Sequence, residues 1–131
     1  MERRDKPYRH AVLEALQVLR GQWTIAVLAT LGAGQTQYKD LLPAINGVEE
    51  RAGWVTHQRP LSDRVLSDTL RRMHADGLVD RHAEPGNFGA VWYSLNPKGR
   101  SLLVAVRTLA EWAQQFPPAA PDASNASDQR K

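Results

Sequence analysis

Residues 61–99 read LSDRVLSDTLRRMHADGLVDRHAEPGNFGAVWYSLNPKG, and the periodicity changes twice along them. From Ser62 to Asp76, at about 100° per residue, Leu66, Leu70 and Met73 fall on one side with Val65 and Thr69 beside them, which predicts an amphipathic helix. Leu78–Ala83 and Val91–Leu95 alternate as strands do, and the segment between them, carrying Pro85, Gly86 and Gly89, suits an exposed turn. Asn96 and Pro97 together make an N-cap and a pre-set first helical residue, so a last helix runs from Asn96 to about Gln115. Helix, hairpin, helix in that order predicts a winged helix-turn-helix, mainly α with a small antiparallel β-hairpin as its wing.

Upstream, the spacing of Val12, Leu16 and Leu19 predicts a first helix over Arg9–Leu19, stopped by Gly21. Gln22–Leu31 is apolar nearly all round and predicts a helix buried on most sides. Gln35–Tyr38 offers a short strand, and Lys39–Ile45 a short helix that Pro43, lacking a backbone donor, limits to two turns. Asn46–Pro60 reads as an inserted, charged loop next to the amphipathic helix. Residues 1–8 form a flexible basic arm, residues 9–116 one folded domain, and residues 117–131, rich in Pro, Ala, Ser and Asp, a disordered tail.

On the Ser62–Asp76 helix the side opposite Leu66 and Leu70 holds Arg64, Ser67, Asp68 and Arg71. A helix of this size fits the major groove of double-stranded DNA, with its first two turns facing the bases. Arg64 has the fork that matches guanine, Ser67 can donate or accept at a base edge, and Arg71 falls further along, toward the phosphates. Asp63 either accepts from a cytosine amino group or complements the helix dipole. Ser62 at the helix start, Lys39 on the preceding helix, Arg59 at the end of the inserted loop and Asn87 at the wing tip complete the candidate DNA contacts. The competing reading is a solvated face made of Arg64, Arg71 and Arg72.

In the last helix Leu102, Val106, Leu109, Ala113 and Phe116 recur at alternating four and three, and Trp112 widens the apolar surface. The surface covers about half the circumference, whereas one core-facing stripe needs about 100°. The excess predicts a homodimer in which a two-fold copy of this helix supplies the second partner. Trp23 and Trp112 are candidates for the aromatic walls of a small-molecule effector pocket, and each is equally explained as core or interface.

Composition excludes several other classes. The chain has 131 residues and a formal charge of +3, so any nucleic-acid contact depends on where the cations sit. With no cysteine, disulfides, thiolate metal sites and thiol redox sensing are ruled out. No uninterrupted apolar stretch suits a signal or a membrane span, and a cytoplasmic protein with no membrane partner is expected. His10, His57, His74 and His82 have no metal-ligand spacing, and neither a phosphate loop, a nucleophile elbow nor a dinucleotide fingerprint is present. No metal, no cofactor and no enzymatic activity are therefore expected.

From Leu16 to Trp112 the chain resembles the HxlR-type winged helix transcriptional regulators of bacteria. Gly21-Gln22-Trp23 is similar to the family's Gly-Lys-Trp, and Gln37-Tyr38-Lys39-Asp40-Leu41 to its Arg-Phe-Ser-Glu-Leu. Leu61-Ser62, Leu66, Leu70 and Ala75-Asp76-Gly77-Leu78-Val79 follow its recognition helix and exit. Val91, Tyr93, Leu95 and Gly99 match its second wing strand. The resemblance implies homodimers that dimerise through the first and last helices and bind a pseudo-palindromic operator. It also implies, for several relatives, a cysteine switch that this chain does not possess. The family passes to the recognition helix through a brief turn, where this chain inserts most of Gly47–Pro60. The alternative from another class is a winged helix that serves only as a protein interaction module.

Overall fold

The computed structural model describes residues 7–21, 23–52, 60–86 and 89–116, with the side chains of residues 49–52 left aside. Its elements, in order, are α1 (Tyr8–Val18), α2 (Thr24–Gly32), β1 (Thr36–Gln37), α3 (Tyr38–Ala52), α4 (Asp63–Ala75), β2 (Val79–Ala83), β3 (Val91–Leu95) and α5 (Pro97–Gln115). The sheet is antiparallel with β3 in the centre, β1 on one side and β2 on the other. Val79 pairs with Leu95 and His82 with Trp92, while Gln37 meets Trp92 from the opposite edge.

Helices α2, α3 and α4 supply most of the core. The stripe of α4 delivers Leu66, Leu70 and Met73, all essentially inaccessible, with Thr69 at its edge. α2 adds Val27, Leu28 and Leu31, and α3 adds Leu41 and Ile45. The all-round apolar character of α2 does not bury it all round, since Ile25 and Ala29, four residues apart, form an exposed strip.

α3 departs from expectation. It continues through Pro43 to Ala52 and takes up the first half of the segment expected as a loop. Pro43 is the sixth residue of this helix, so only the bond to the Lys39 carbonyl is lost, and both residues lie at the surface where water can satisfy that oxygen. Beyond the proline, Ile45 is buried and repays the continuation. The rest of the expected loop, residues 53–59, lies outside the described residues, as do residues 1–6 of the arm and the tail from 117.

α5 is fixed at its start by a polar clamp. Asn96 Oδ1 accepts from the Gly99 N–H at 2.9 Å while its Nδ2 donates to the Gly77 carbonyl at 2.7 Å, so one side chain caps α5 and ties it to the exit of α4. Gly99 then crosses directly over the Leu78 carbonyl, where a Cβ would collide with backbone. Leu103 is buried one turn later, and from Arg107 onward every residue of α5 is exposed. α1 buries none of its residues.

Candidate nucleic-acid interface

α3 and α4 form the helix-turn-helix, and two side chains of α3 hold the start of α4. Asn46 forms a two-point bridge to Leu61, its Nδ2 donating to the carbonyl at 3.1 Å and its Oδ1 accepting from the N–H at 2.8 Å. Ser62 follows as the N-cap, accepting from the Val65 N–H at 3.3 Å. From the other end of α3, Tyr38 Oη donates to Asp63 Oδ1 at 2.6 Å. Burial, reinforced by this bond to a carboxylate, pushes the Tyr38 phenol up to about 12. Its ring also lies 6.4 Å from that of Tyr93, which joins α3 to the sheet.

These bonds divide the predicted contact residues into two groups. Ser62 is occupied as a cap and Asp63 is held by Tyr38, so the first-turn acid makes a tertiary contact in addition to any dipole effect. Ser67 is half-buried one turn on, beside the same phenol. Arg64, Asp68 and Arg71 are exposed along one outward stripe. Within it Arg71 Nη1 donates to Asp68 Oδ1 at 2.9 Å, which neutralises the acid on that face. Among the described residues of α4, Arg64 is the exposed cation with no anion against it.

Lys39 is exposed on the first turn of α3. Arg59 and Asn87 lie outside the described residues. The wing closes through the Glu84 N–H donating to the Ala90 carbonyl at 3.1 Å, and its strand β2 carries exposed Arg81 and His82. Arg81 is a cation near the wing that a search confined to the turn passes over.

The sequence reading missed Tyr38, Asn46 and Arg72. Arg72, grouped there with the solvated arginines, is half-buried and donates to the Arg20 carbonyl at 2.7 Å and to the Thr24 hydroxyl. A signal existed for it, because Arg72 lies three residues after Thr69 on the border of the apolar stripe. The proposed effector walls are not brought together: Trp23 is core, whereas Trp112 is 60% exposed and rests on Phe116 with ring centroids 6.1 Å apart. Among the described residues no cluster of His, Asp or Glu is arranged to hold a metal ion, and no helix is long and apolar enough to cross a membrane.

Comparison with known proteins agrees with this architecture. The family model described as HxlR-like helix-turn-helix matches residues 18–120. The chain belongs to the HxlR-like helix-turn-helix family. An HTH-type transcriptional regulator of Methanothermobacter thermautotrophicus is 27% identical over 112 residues, covering 86% of this chain and 76% of the relative. The regulator YtfH of Escherichia coli is 29% identical over 101 residues, covering 77% of this chain and 70% of the relative. Among solved structures, one described as a MarR-family transcriptional regulator of Enterococcus faecalis V583 superposes with a TM-score of 0.71 at 28% identity, covering 85% of this chain and 89% of that one. The reduced form of YodB from Bacillus subtilis, at 20% identity and a TM-score of 0.61, shares the fold. This HxlR-like chain is thus a winged helix-turn-helix protein of a family of DNA-binding transcription regulators and not of enzymes.

Proposed function

We propose that this HxlR-like regulator binds an inverted-repeat DNA operator as a homodimer, α4 lying in the major groove and the apolar faces of α1 and α5 closing the two-fold. The observation that carries the DNA half is the division of α4 into a buried stripe and an outward stripe headed by Arg64. In that pose Arg64 reads a base edge and Arg71 and Lys39 meet phosphates, with the wing strand and Arg81 alongside. The dimer half rests on exposure. Val12 and Leu16 on α1, and Leu109, Trp112 and Phe116 on α5, are all exposed although large and apolar, and Ala113 lies beside them. Leu102 and Val106 are half-buried against the chain's own core and form the inner margin of that surface. An isolated helix of 11 residues is marginal in water, so α1 with no buried residue needs a second surface to stay folded. Any response to a small molecule operates without thiol chemistry, since the chain contains no cysteine.

Selection of duplexes from random sequence, followed by titration of the selected operator at several salt concentrations, tests this reading. A selected inverted repeat whose affinity falls steeply with salt supports it, each phosphate contact adding roughly 0.9 to the slope of log affinity against log salt. Arg64→Ala should lose about 1 to 3 kcal/mol on that operator and relax one base position per half-site, whereas Arg71→Ala should weaken all duplexes alike and lower the salt slope by about one. No selected duplex at moderate salt would leave the outward face of α4 as a protein-binding surface.

A further inference from the structure

The Arg72 side chain of α4 reaches into the elbow between α1 and α2. Its Nη2 donates to the Arg20 carbonyl at 2.7 Å and to Thr24 Oγ1, and Thr24 Oγ1 in turn donates to the same carbonyl at 2.8 Å. Thr24 is fully buried. The elbow is shaped around the guanidinium: Gly21 has φ +100°, and a Cβ there would run into Arg72. Arg72 Nε is buried with no hydrogen-bond partner among the described residues, a cost that the packing of the planar head into the elbow must offset.

Packing holds α1 only weakly: none of its residues is buried, and among the described residues only Val18 at its end and Leu19 beyond it pack against the core. Its 11 residues span about 16 Å, so a swing of about ten degrees at the elbow moves the far end by about 3 Å. One base pair of DNA rises by a similar amount, roughly 3.4 Å.

We infer that Arg72 is a positioning residue that sets the angle between α1 and the recognition helix, and through it the spacing of half-sites that the dimer accepts. The inference rests on the dimeric DNA-binding reading above. A rigid elbow makes a two-fold pair discriminate between operators differing by one base pair in their spacer, because each added pair both translates and rotates the second half-site. A loose elbow lets α1 absorb that change.

The test is a set of duplexes that keep the selected half-sites and vary the spacer by one and two base pairs in either direction, titrated with wild type, Arg72→Met, Arg72→Lys and Gly21→Ala. For Arg72→Met the expected loss on the preferred spacer is about tenfold, the worth of one charge-assisted hydrogen bond, with little change on the others, so the spacer profile flattens while half-site sequence preference stays. Gly21→Ala should flatten it likewise from the other side of the contact, even if Arg72→Met proves too unstable to assay. Arg72→Lys, which keeps a donor for the carbonyl but not the fork, should fall between. Dimer content is followed by sedimentation. An unchanged spacer profile in folded, dimeric Arg72→Met and Gly21→Ala overturns the inference, as does loss of half-site sequence preference, which would place Arg72 in the folding of α4. If wild type itself selects no spaced repeat, the dimeric DNA-binding reading fails first and separately.

Discussion

α4 and α5 are both amphipathic helices opened by a side-chain N-cap, Ser62 in one and Asn96 in the other, yet they spend their apolar residues differently. α4 buries Leu66, Thr69, Leu70 and Met73 within 13 residues. α5 buries only Gly99 and Leu103 within 19, and leaves Leu109 and Trp112 each 60% exposed. An apolar stripe read from sequence says that a face will be covered. It does not say by which chain. In α4 the cover comes from the chain's own core, and in α5 the distal half is left exposed.

The largest test of this contrast is a pair of substitutions. Leu66→Ala should destabilise the fold by about 2 to 5 kcal/mol in chemical denaturation, because it opens a cavity at a fully buried site. Leu109→Arg should leave the fold of a single chain nearly untouched, since the site is exposed there. In the proposed dimer the same change buries an unpaired charge at a cost of several kcal/mol, so sedimentation should report monomer and operator affinity should fall. A stable dimer of Leu109→Arg would move the two-fold contact off α5.

Next in size is Asn46→Ala, which removes both bonds to Leu61 and should cost about 1 to 3 kcal/mol, read as a lowered midpoint of thermal unfolding. Because the bridge holds the entry to α4, the loss on operator binding should exceed that of a surface substitution such as Pro43→Ala. The smallest effect concerns Tyr38. Its phenol is raised from an ordinary value of 10.0 to about 12, so the neutral form is favoured by folding. Its contribution is complete below about pH 10 and is lost as pH rises through about 12. Tyr38→Phe should cost about 1 kcal/mol near neutrality and flatten the alkaline decline in stability between those limits. An unaltered alkaline limb would assign the decline to other groups.

Much of the fold was legible because its signals are local and strong. The stripe Leu66–Leu70–Met73, the alternation of Val91–Leu95 and the Asn96-Pro97 cap each act within a few residues, and each element lies where they put it. The extent of α3 was not, since a proline after the first turn removes one bond while the stabilisation that carries the helix past it comes from the burial of Ile45, which is tertiary. The candidate site was legible as a face and not as a network. Spacing alone placed Arg64 and Arg71 on the outward face of α4, and both are exposed there. Tyr38 with Asp63, Asn46 with Leu61, and Arg72 with the elbow join positions 25, 15 and 52 residues apart, which no periodicity reports.

α1, with no residue buried in its own chain, opens locally at little cost whenever a protomer is alone. In the proposed dimer, pairing should favour the closed form, so the stretch from Tyr8 to Val18 should be cut by proteases in dilute protein and protected in concentrated protein, which would tie the lifetime of the chain to its own abundance.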